Sequence, residues 1–450
     1  MRLKIFPVWT LVVFLAAAPC FAQKSGPGAA GASKKKKIST DQITETTRKL
    51  AEQTVRTVSW PIRFMKNTLS LVVTPLDRGM YLNIPAVDTD PNRGLTYGIM
   101  PVIILNTKKG ERIEQIYAPS LTYNRFFKWT AAHRVYWFPT RFSQVSNRVS
   151  YSGEANREAM IEYKDDMFMG RRNYLSGRLW FTRDGSRRFY GRGPNSQKGS
   201  QSNYIRDSLL YKFSLGLPLS EQWKINFGHG LSSDKILDGP VATIAPLSVN
   251  FPGLTTSRRA QIAHYRLFFN YDSRDAVTTT TEGEYLEVFA ETSPKNLGSA
   301  FSYQTYGMDG RIFIPNNGSD KTVTAARLKI QQQTGDGIPF YALSDLGGKF
   351  SLRGYGEGRF VDKGLLTFEV EQRFRFQQLN LMNIKTDFEI DPFLEIGSIF
   401  PRMGTIHFRD LRPVAGVSIR AVARPQVVGS FDLGIGDEGA VVFMDVDYSF

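Results

Sequence analysis

The residues whose types could do chemistry converge on one stretch, Gly347 to Phe360, GGKFSLRGYGEGRF, with Arg353 at its centre. Arginine suits a partly dehydrated contact with carboxylate, because its planar fork presents paired donors and keeps its charge. Acids that could receive it stand downstream. Glu389, Asp391, Phe393, Glu395 and Gly397 share one face of a strand, while Phe388, Ile390, Leu394 and Ile396 share the other. Glu371, on the preceding strand, can share the arginine. Gly354, Gly356 and Gly358 permit tight or left-handed turns beside it. Two other readings stand next to this one. Arg353 could be a solvated residue of an exposed loop, and GYGEG could cradle a phosphate, although such a loop needs a strand running into a helix and the sequence offers none here.

Other reactive groups are sparse. The histidines are His133, His229, His264 and His407, and none has the spacing of a metal site or of a base beside a nucleophile. The only cysteine is Cys20. No catalytic residue, metal or cofactor is therefore expected, and the stretch around Arg353 reads as a brace rather than an active loop.

The elements that must position it follow from the periodicity. From Gly94 to Phe450 apolar residues recur every second position in about sixteen segments separated by turn residues. In the segment near Leu365, Phe368, Val370, Phe374 and Phe376 alternate with Glu369, Glu371, Arg373 and Arg375. A soluble sandwich would alternate as well, with its charged face in water. The number of strands without helices, the amino terminus and the last strand favour a closed barrel in a membrane, where no backbone edge can stay unpaired. The fold class expected is all-β, a transmembrane antiparallel β-barrel of about 16 strands preceded by a short amphipathic helical segment. A mean hydropathy of −0.27 is compatible with it, since lipid-facing and lumen-facing side chains average out, and the 13% aromatic content suits aromatic girdles.

The amino terminus divides by composition. Residues 1–22 read as a cleaved secretory signal, with Arg2 and Lys4, an apolar run from Val8 to Ala18 and the site Cys20-Phe21-Ala22; Cys20 could instead accept a lipid, but Pro19 is ill suited to that. Residues 23–39 read as a flexible Lys-rich tail. Residues 40–93 read as a helical segment and linker, with Ile43, Leu50, Thr54 and Val58 on one face and Ile62, Met65, Leu69 and Val72 on a second stripe after Trp60-Pro61. That segment is either a periplasmic linker or lies at a membrane interface. Residues 94–450 are the barrel. Its last strand, with Val442, Met444, Val446, Tyr448 and Phe450 alternating to the end, has the form of an insertion signal read at the outer membrane by barrel-insertion machinery. The formal charge of +15 fits acidic lipid headgroups, lipopolysaccharide phosphates or a basic lumen; an exported protein does not meet nucleic acid.

These residues resemble the bacterial surface antigen superfamily, the BamA and TamA type of outer-membrane barrels of Gram-negative bacteria. Phe189-Tyr190-Gly191-Arg192-Gly193 followed by Asn195 is similar to its F-Y-G-x-G-N stretch, with Pro194 inserted. Asp272-Ser273-Arg274-Asp275, with Gly283, Tyr285 and Leu286, is similar to its D-T-R-D hairpin, threonines replacing the usual turn proline. Gly347-Gly348 and Leu352-Arg353-Gly354-Tyr355 match its R-G-Y loop, and Phe393-Leu394-Glu395-Ile396-Gly397 stands for its F-x-D-x-G strand, with Glu in place of Asp. The resemblance implies a luminal lock of Arg353, Gly354, Tyr355, Glu371, Phe393, Glu395 and Gly397 within the inserted loop 347–360. It also implies a barrel-only member without periplasmic polypeptide-transport-associated domains, and a seam between the first and last strands, here Leu95 to Leu105 and Val441 to Phe450. Gly429, Gly434, Gly436 and Gly439 could weaken that seam or only relieve crowding. The expected function is non-enzymatic, assisting insertion or transport of a protein or lipid client; the alternative is a passive anion-preferring channel.

Overall fold

A computed structural model describes residues 73–450, apart from 109–111, 317, 382–383, 424–426 and 446–450. The signal, the tail, the stripes of residues 40–72 and the terminal Val446, Tyr448 and Phe450 lie outside the described residues.

Among the described residues the chain forms one large sheet of 21 strands, antiparallel throughout its main ladders, and a small hairpin inside it. The strands are β1 (Val73–Leu76), β2 (Gly79–Asp88), β3 (Thr96–Asn106), β4 (Ile113–Tyr117), β5 (Ser120–Asn124), β6 (Lys128–Trp137), β7 (Ser143–Ser152) and β8 (Arg157–Phe168). They continue as β9 (Asn173–Phe189), β10 (Ser202–Pro218), β11 (Trp223–Asp238), β12 (Ala245–Pro246), β13 (Ala260–Asp272), β14 (Gly283–Ser293), β15 (Tyr303–Asn316) and β16 (Ser319–Thr334). The hairpin is β17 (Ser344–Leu346) and β18 (Phe360–Asp362), followed by β19 (Gly364–Leu381), β20 (Ile384–Phe400), β21 (Arg412–Ala423), β22 (Val427–Gly436) and β23 (Gly439–Asp445).

The count differs from about sixteen, and Arg157–Phe168 (β8), paired with β7 and β9, is a strand that the alternating segments of the sequence do not include. β4 and β5 together pair with the length of β3 and of β6, so they are one strand interrupted at Ala118-Pro119. The two-residue β12 is a loop contact on β10. The larger correction concerns residues 73–93, expected to be helix and linker: β1 and β2 are strands, and β2 pairs with β3 from Gly79↔Leu105 to Asp88↔Thr96. Met80, Leu82 and Ile84 pack on Met100, Val102 and Ile104, and the opposite face, largely apolar as well, carries Tyr81, Asn83, Pro85 and Val87. A strand apolar on both faces has no period-two signature, which is why the pattern is silent there.

Elsewhere alternation sorts the faces sharply. On β20, Leu394 is 64% exposed on the outside while its neighbour Glu395 is 2% exposed within. The outer surface carries an apolar array that includes Ile161, Leu179, Leu209, Phe227, Phe269, Val288, Phe374, Ile419 and Ile435, as a lipid-facing wall requires. The connections at one end are short, as between β10 and β11 or β15 and β16, and those at the other are long, as between β9 and β10, β11 and β13, or β16 and β19. In membrane barrels the long connections face outward and the short ones the periplasm.

Among the described residues the two ends of the sheet are joined by hydrogen bonds at one point. The Thr89 amide donates to the Val442 carbonyl (3.1 Å) and the Val442 amide donates to Thr89 Oγ1 (2.9 Å). No ladder joins β2 to β23 among the described residues, so the ring of hydrogen bonds is not closed there. Among the described residues the seam therefore falls at Asn83–Asp88 of β2, not at Leu95–Leu105: β1 covers Gly79–Leu82 on the side away from β3, and β3 has partners on both edges. With Cys20 replaced by Ser, cysteines at Thr89 and Val442 should form a disulfide under mild oxidation, whereas cysteines at Ile99 and Val442 should not, read as a mobility shift on gels. Equal crosslinking of both pairs would contradict this seam.

Candidate functional site

The 29-residue connection between β16 and β19 does not project away from the sheet but turns back inside it. The β17–β18 hairpin pairs Leu346 with Phe360, and above it Gly348 accepts from Leu352 (3.1 Å) while its own amide donates to the Tyr355 carbonyl (2.9 Å). Leu346, Leu352, Tyr355 and Phe360 pack with Leu365, Phe393, Ile399 and Val414 of the wall. This apolar seat fixes Arg353, which is wholly buried.

Around its guanidinium the wall supplies charge. Arg353 Nε lies 2.5 Å from Glu395, and the Arg353 backbone amide donates to the other oxygen of the same carboxylate (2.7 Å). Nη1 contacts Glu371 (3.3 Å), Asp432 (3.2 Å) and Ser418 Oγ (3.2 Å). The ring of Phe393 lies 3.4 Å from Cζ, a cation–π stack. Phe393, Glu395 and Gly397 thus each have a distinct contact, for the absent Cβ of Gly397 leaves the space filled by Leu346, whose Cδ1 would lie 2.8 Å from it. Glu is long enough to take both the side chain and the backbone amide of Arg353.

Sequence reasoning missed Arg420 and the part that β21 and β22 play in the cluster. Arg420 donates to Glu371 (2.7 and 2.8 Å) and to Asp391, and Ser418 donates to Asp432. Arg373 donates to Glu371 (2.8 Å). The signal was present in the alternation of β21 and β22, where Ser418, Arg420 and Asp432 oppose Ile419 and Phe431, but pairing across strands decides which charges meet.

The glycines also take a different part. Gly354 has no positive φ; a Cβ there would meet Val414 Cγ2 at 2.7 Å and the Gly436 amide at 2.8 Å, whereas Gly358 alone of the three is left-handed (φ 69°). A Cβ on Gly434 would lie 2.4 Å from the Arg353 carbonyl, and one on Gly436 3.1 Å from the Tyr355 ring. These two make room for the loop, and Gly439 serves the turn (φ 120°).

The loop is fastened on two sides. Tyr355 donates to Asp437 (2.7 Å) and Arg359 to Glu438 (2.8 Å) in the β22–β23 turn. Opposite, Arg187 donates to Glu357 (2.7 Å) and Arg359 to Ser196 (3.0 Å), so the F-Y-G stretch packs against the loop, with Phe189 buried at 4.5 Å from Phe340. The β2–β3 turn joins them: Asn92 Nδ2 donates to the Glu357 carbonyl (2.7 Å) and Arg188 to the Asn92 carbonyl (2.6 Å). In that turn Asp90 is buried and its pKa is pushed up to about 6, chiefly by loss of water, with Arg93 opposing. At the other end, the D-S-R-D segment holds itself: Arg274 grips Asp272 (2.8 Å) and Asp275 accepts from Thr281 (2.5 Å), the threonines supplying what a turn proline would.

A cavity of about 210 Å³ lies beside the loop, lined by Arg206, His264, Arg266, Glu291 and Asp345. Ser293 and Glu291 approach the same nitrogen, Nδ1 of His264, at 3.1 and 3.2 Å. One nitrogen cannot relay a proton between them, so the trio lacks the geometry of a Ser-His-acid relay.

A sheet apolar outside, charged inside and carrying an inserted loop defines a transmembrane β-barrel with an internal brace. Residues 142–421 match the Omp85 superfamily domain, more than half of the chain, and the chain belongs to that superfamily of outer-membrane barrels. Among solved structures, BamA from Haemophilus ducreyi lacking POTRA domains 1-3 is 16% identical, with a TM-score of 0.50 over 81% of this chain and 74% of that one. CdiB from Escherichia coli (12%, TM-score 0.44, 83% and 65%) and CdiB from Acinetobacter baumannii (13%, 0.41, 83% and 60%) are also similar. A comparison with curated proteins gives no match.

Two outcomes follow. Arg353→Ala leaves Glu395, Glu371 and Asp432 facing one another and should destabilise the barrel by about 3–5 kcal/mol, read as loss of heat-modifiability or an earlier urea midpoint. Exchanging the charges of Arg353 and Glu395 should not rescue it, because Glu371 and Asp432 would then confront a glutamate. For Asp90, a folded pKa above the unfolded value means stability present below about pH 4 and lost as the pH rises through about 6. Asp90→Asn should remove that slope and slow hydrogen exchange in residues 88–95 at pH 7.5, by up to about 3 kcal/mol.

Proposed function

We propose that this chain is a non-enzymatic outer-membrane barrel that assists insertion or transport of a protein or lipid client, opening at the seam between β2 and β23, with Arg353 as the luminal lock of the loop. The supporting observation is the contrast in fastening. The wall β19–β22 is bound to the loop by buried ion pairs, whereas among the described residues the direct hydrogen bonds between the β2 and β23 sides are those of Thr89 with Val442. A stretch of sheet edge that is sparsely paired is a template to which a client strand can add. The loop would hold the last strands in shape while the seam yields. Export through residues 1–22, insertion through the signal ending at Phe450, and contact with lipopolysaccharide in the outer leaflet of a Gram-negative bacterium belong to the same reading.

The test uses purified chain in liposomes presented with a small unfolded outer-membrane barrel protein. Its folding should be accelerated about tenfold or more, a barrier reduction of about 1.4 kcal/mol per tenfold. The Thr89→Cys/Val442→Cys disulfide should abolish the acceleration and reductant restore it. Acceleration that survives the crosslink would defeat the seam as the working element.

A further inference from the structure

We infer that the outer face of the barrel, at the long-connection end, carries a binding site for the phosphate-bearing headgroup of an outer-leaflet glycolipid. The site is a row set by register. Arg157 of β8 pairs with Arg183 of β9, Arg183 with Asp207 of β10, and Asp207 with Lys235 of β11. Arg259, just before β13, completes it, donating to the Ser233 carbonyl (2.9 Å), to the Asp207 carbonyl (3.2 Å) and to the Asp207 carboxylate. Strand parity places this row outside, since Arg206 and Asp234, one position away, pair with each other inside (2.9 Å) and Arg206 lines the cavity.

Cations on a lipid-facing surface are strongly disfavoured at hydrocarbon depth, so the row marks the level of headgroups. Directly below it the same strands turn apolar, with Leu209, then Ile161, Leu179 and Leu231 exposed. At its edge Arg157 lies 5.2 Å from the ring of Tyr151, and an aromatic row of Tyr97, Tyr123 and Trp129, with ring centroids 5.8 and 5.3 Å apart, continues the same rim toward the seam. Aromatic rings are at home at that level.

The charge is not self-cancelling. Asp207 holds Arg183 (3.4 Å) and Arg259 in place, and the row still sets four cations against one carboxylate. Pre-positioned guanidinium groups on a rigid sheet are what a phosphate ester binds best. The long-connection end faces outward, so the ligand is a lipid of the outer leaflet. The site rests on the outer-membrane placement alone and is independent of client insertion or the seam, so each can fail without the other.

Binding is measured on the full chain in detergent micelles by native mass spectrometry, with bisphosphorylated lipid A as probe. Wild type should retain the lipid, and Arg157→Gln/Lys235→Gln should weaken it about tenfold or more while heat-modifiability is kept. Lys164→Gln/Arg172→Gln, at the opposite rim, should leave it unchanged. The same lipid stripped of phosphate should bind at least tenfold more weakly than the bisphosphorylated form, and equimolar inorganic phosphate should fail to displace the lipid. Unchanged affinity in Arg157→Gln/Lys235→Gln, equal binding of the stripped lipid, or displacement by inorganic phosphate would each overturn the proposal.

Discussion

A guanidinium held away from water is the constraint from which the interior follows. Stripping water from an arginine is expensive, and only carboxylates at hydrogen-bond distance offset the loss. Glu395, Glu371 and Asp432 do so from three different strands. Those acids repel one another, and Arg420 and Arg373 lie among them for the same reason. The wall β19–β22 and the loop are therefore electrostatically incomplete apart. Each supplies the counter-charge that makes burial of the other tolerable.

Contact at that range needs a wall that the loop backbone can touch. Gly434 and Gly436 bring β22 against Arg353 and Tyr355, and Gly416 gives the Phe393 ring its place, a Cβ there lying 2.2 Å from Cζ. Small residues on the strands and small residues in the loop thus face each other. What looks like weakness in a strand, a run of glycines, is here the means of close approach. The turns at 89–94 and 437–438 extend the contact to both edges of the seam. The loop and the F-Y-G stretch are accordingly one packed unit at the long-connection end, and the two turns that border the seam rest on it.

The outer surface obeys the complementary rule. Inside, charges are admissible where they find partners, as around Arg353; outside, they are admissible only where hydrocarbon ends. The register that aligns Arg157, Arg183 and Lys235 is the same register that carries Asp184, Arg206 and Asp234 inward. One pairing serves both faces, and a slip of one residue would exchange them.

The sequence alone determined most of the elements that alternate: the charged face of β20 with the acid at 395 and the membrane-barrel class are legible because period two separates lipid from lumen without reference to any partner, whereas the loop around Arg353 is legible through its resemblance to a family motif. It is silent where that contrast vanishes, as in β2, apolar on both faces, and it takes the interrupted β4 and β5 for a single segment. Tertiary structure decided everything that depends on which strands are neighbours. Asp432 and Arg420 join the cluster only through pairing, Gly434 and Gly436 reveal their use only once the loop lies on them, and the free edge is Asn83–Asp88 of β2 because β1 covers the start of that strand and β3 is paired on both sides. Alternation is a local property of the chain. Proximity across a curled sheet is not, since residues 353 and 432 meet only after the intervening strands have been laid side by side.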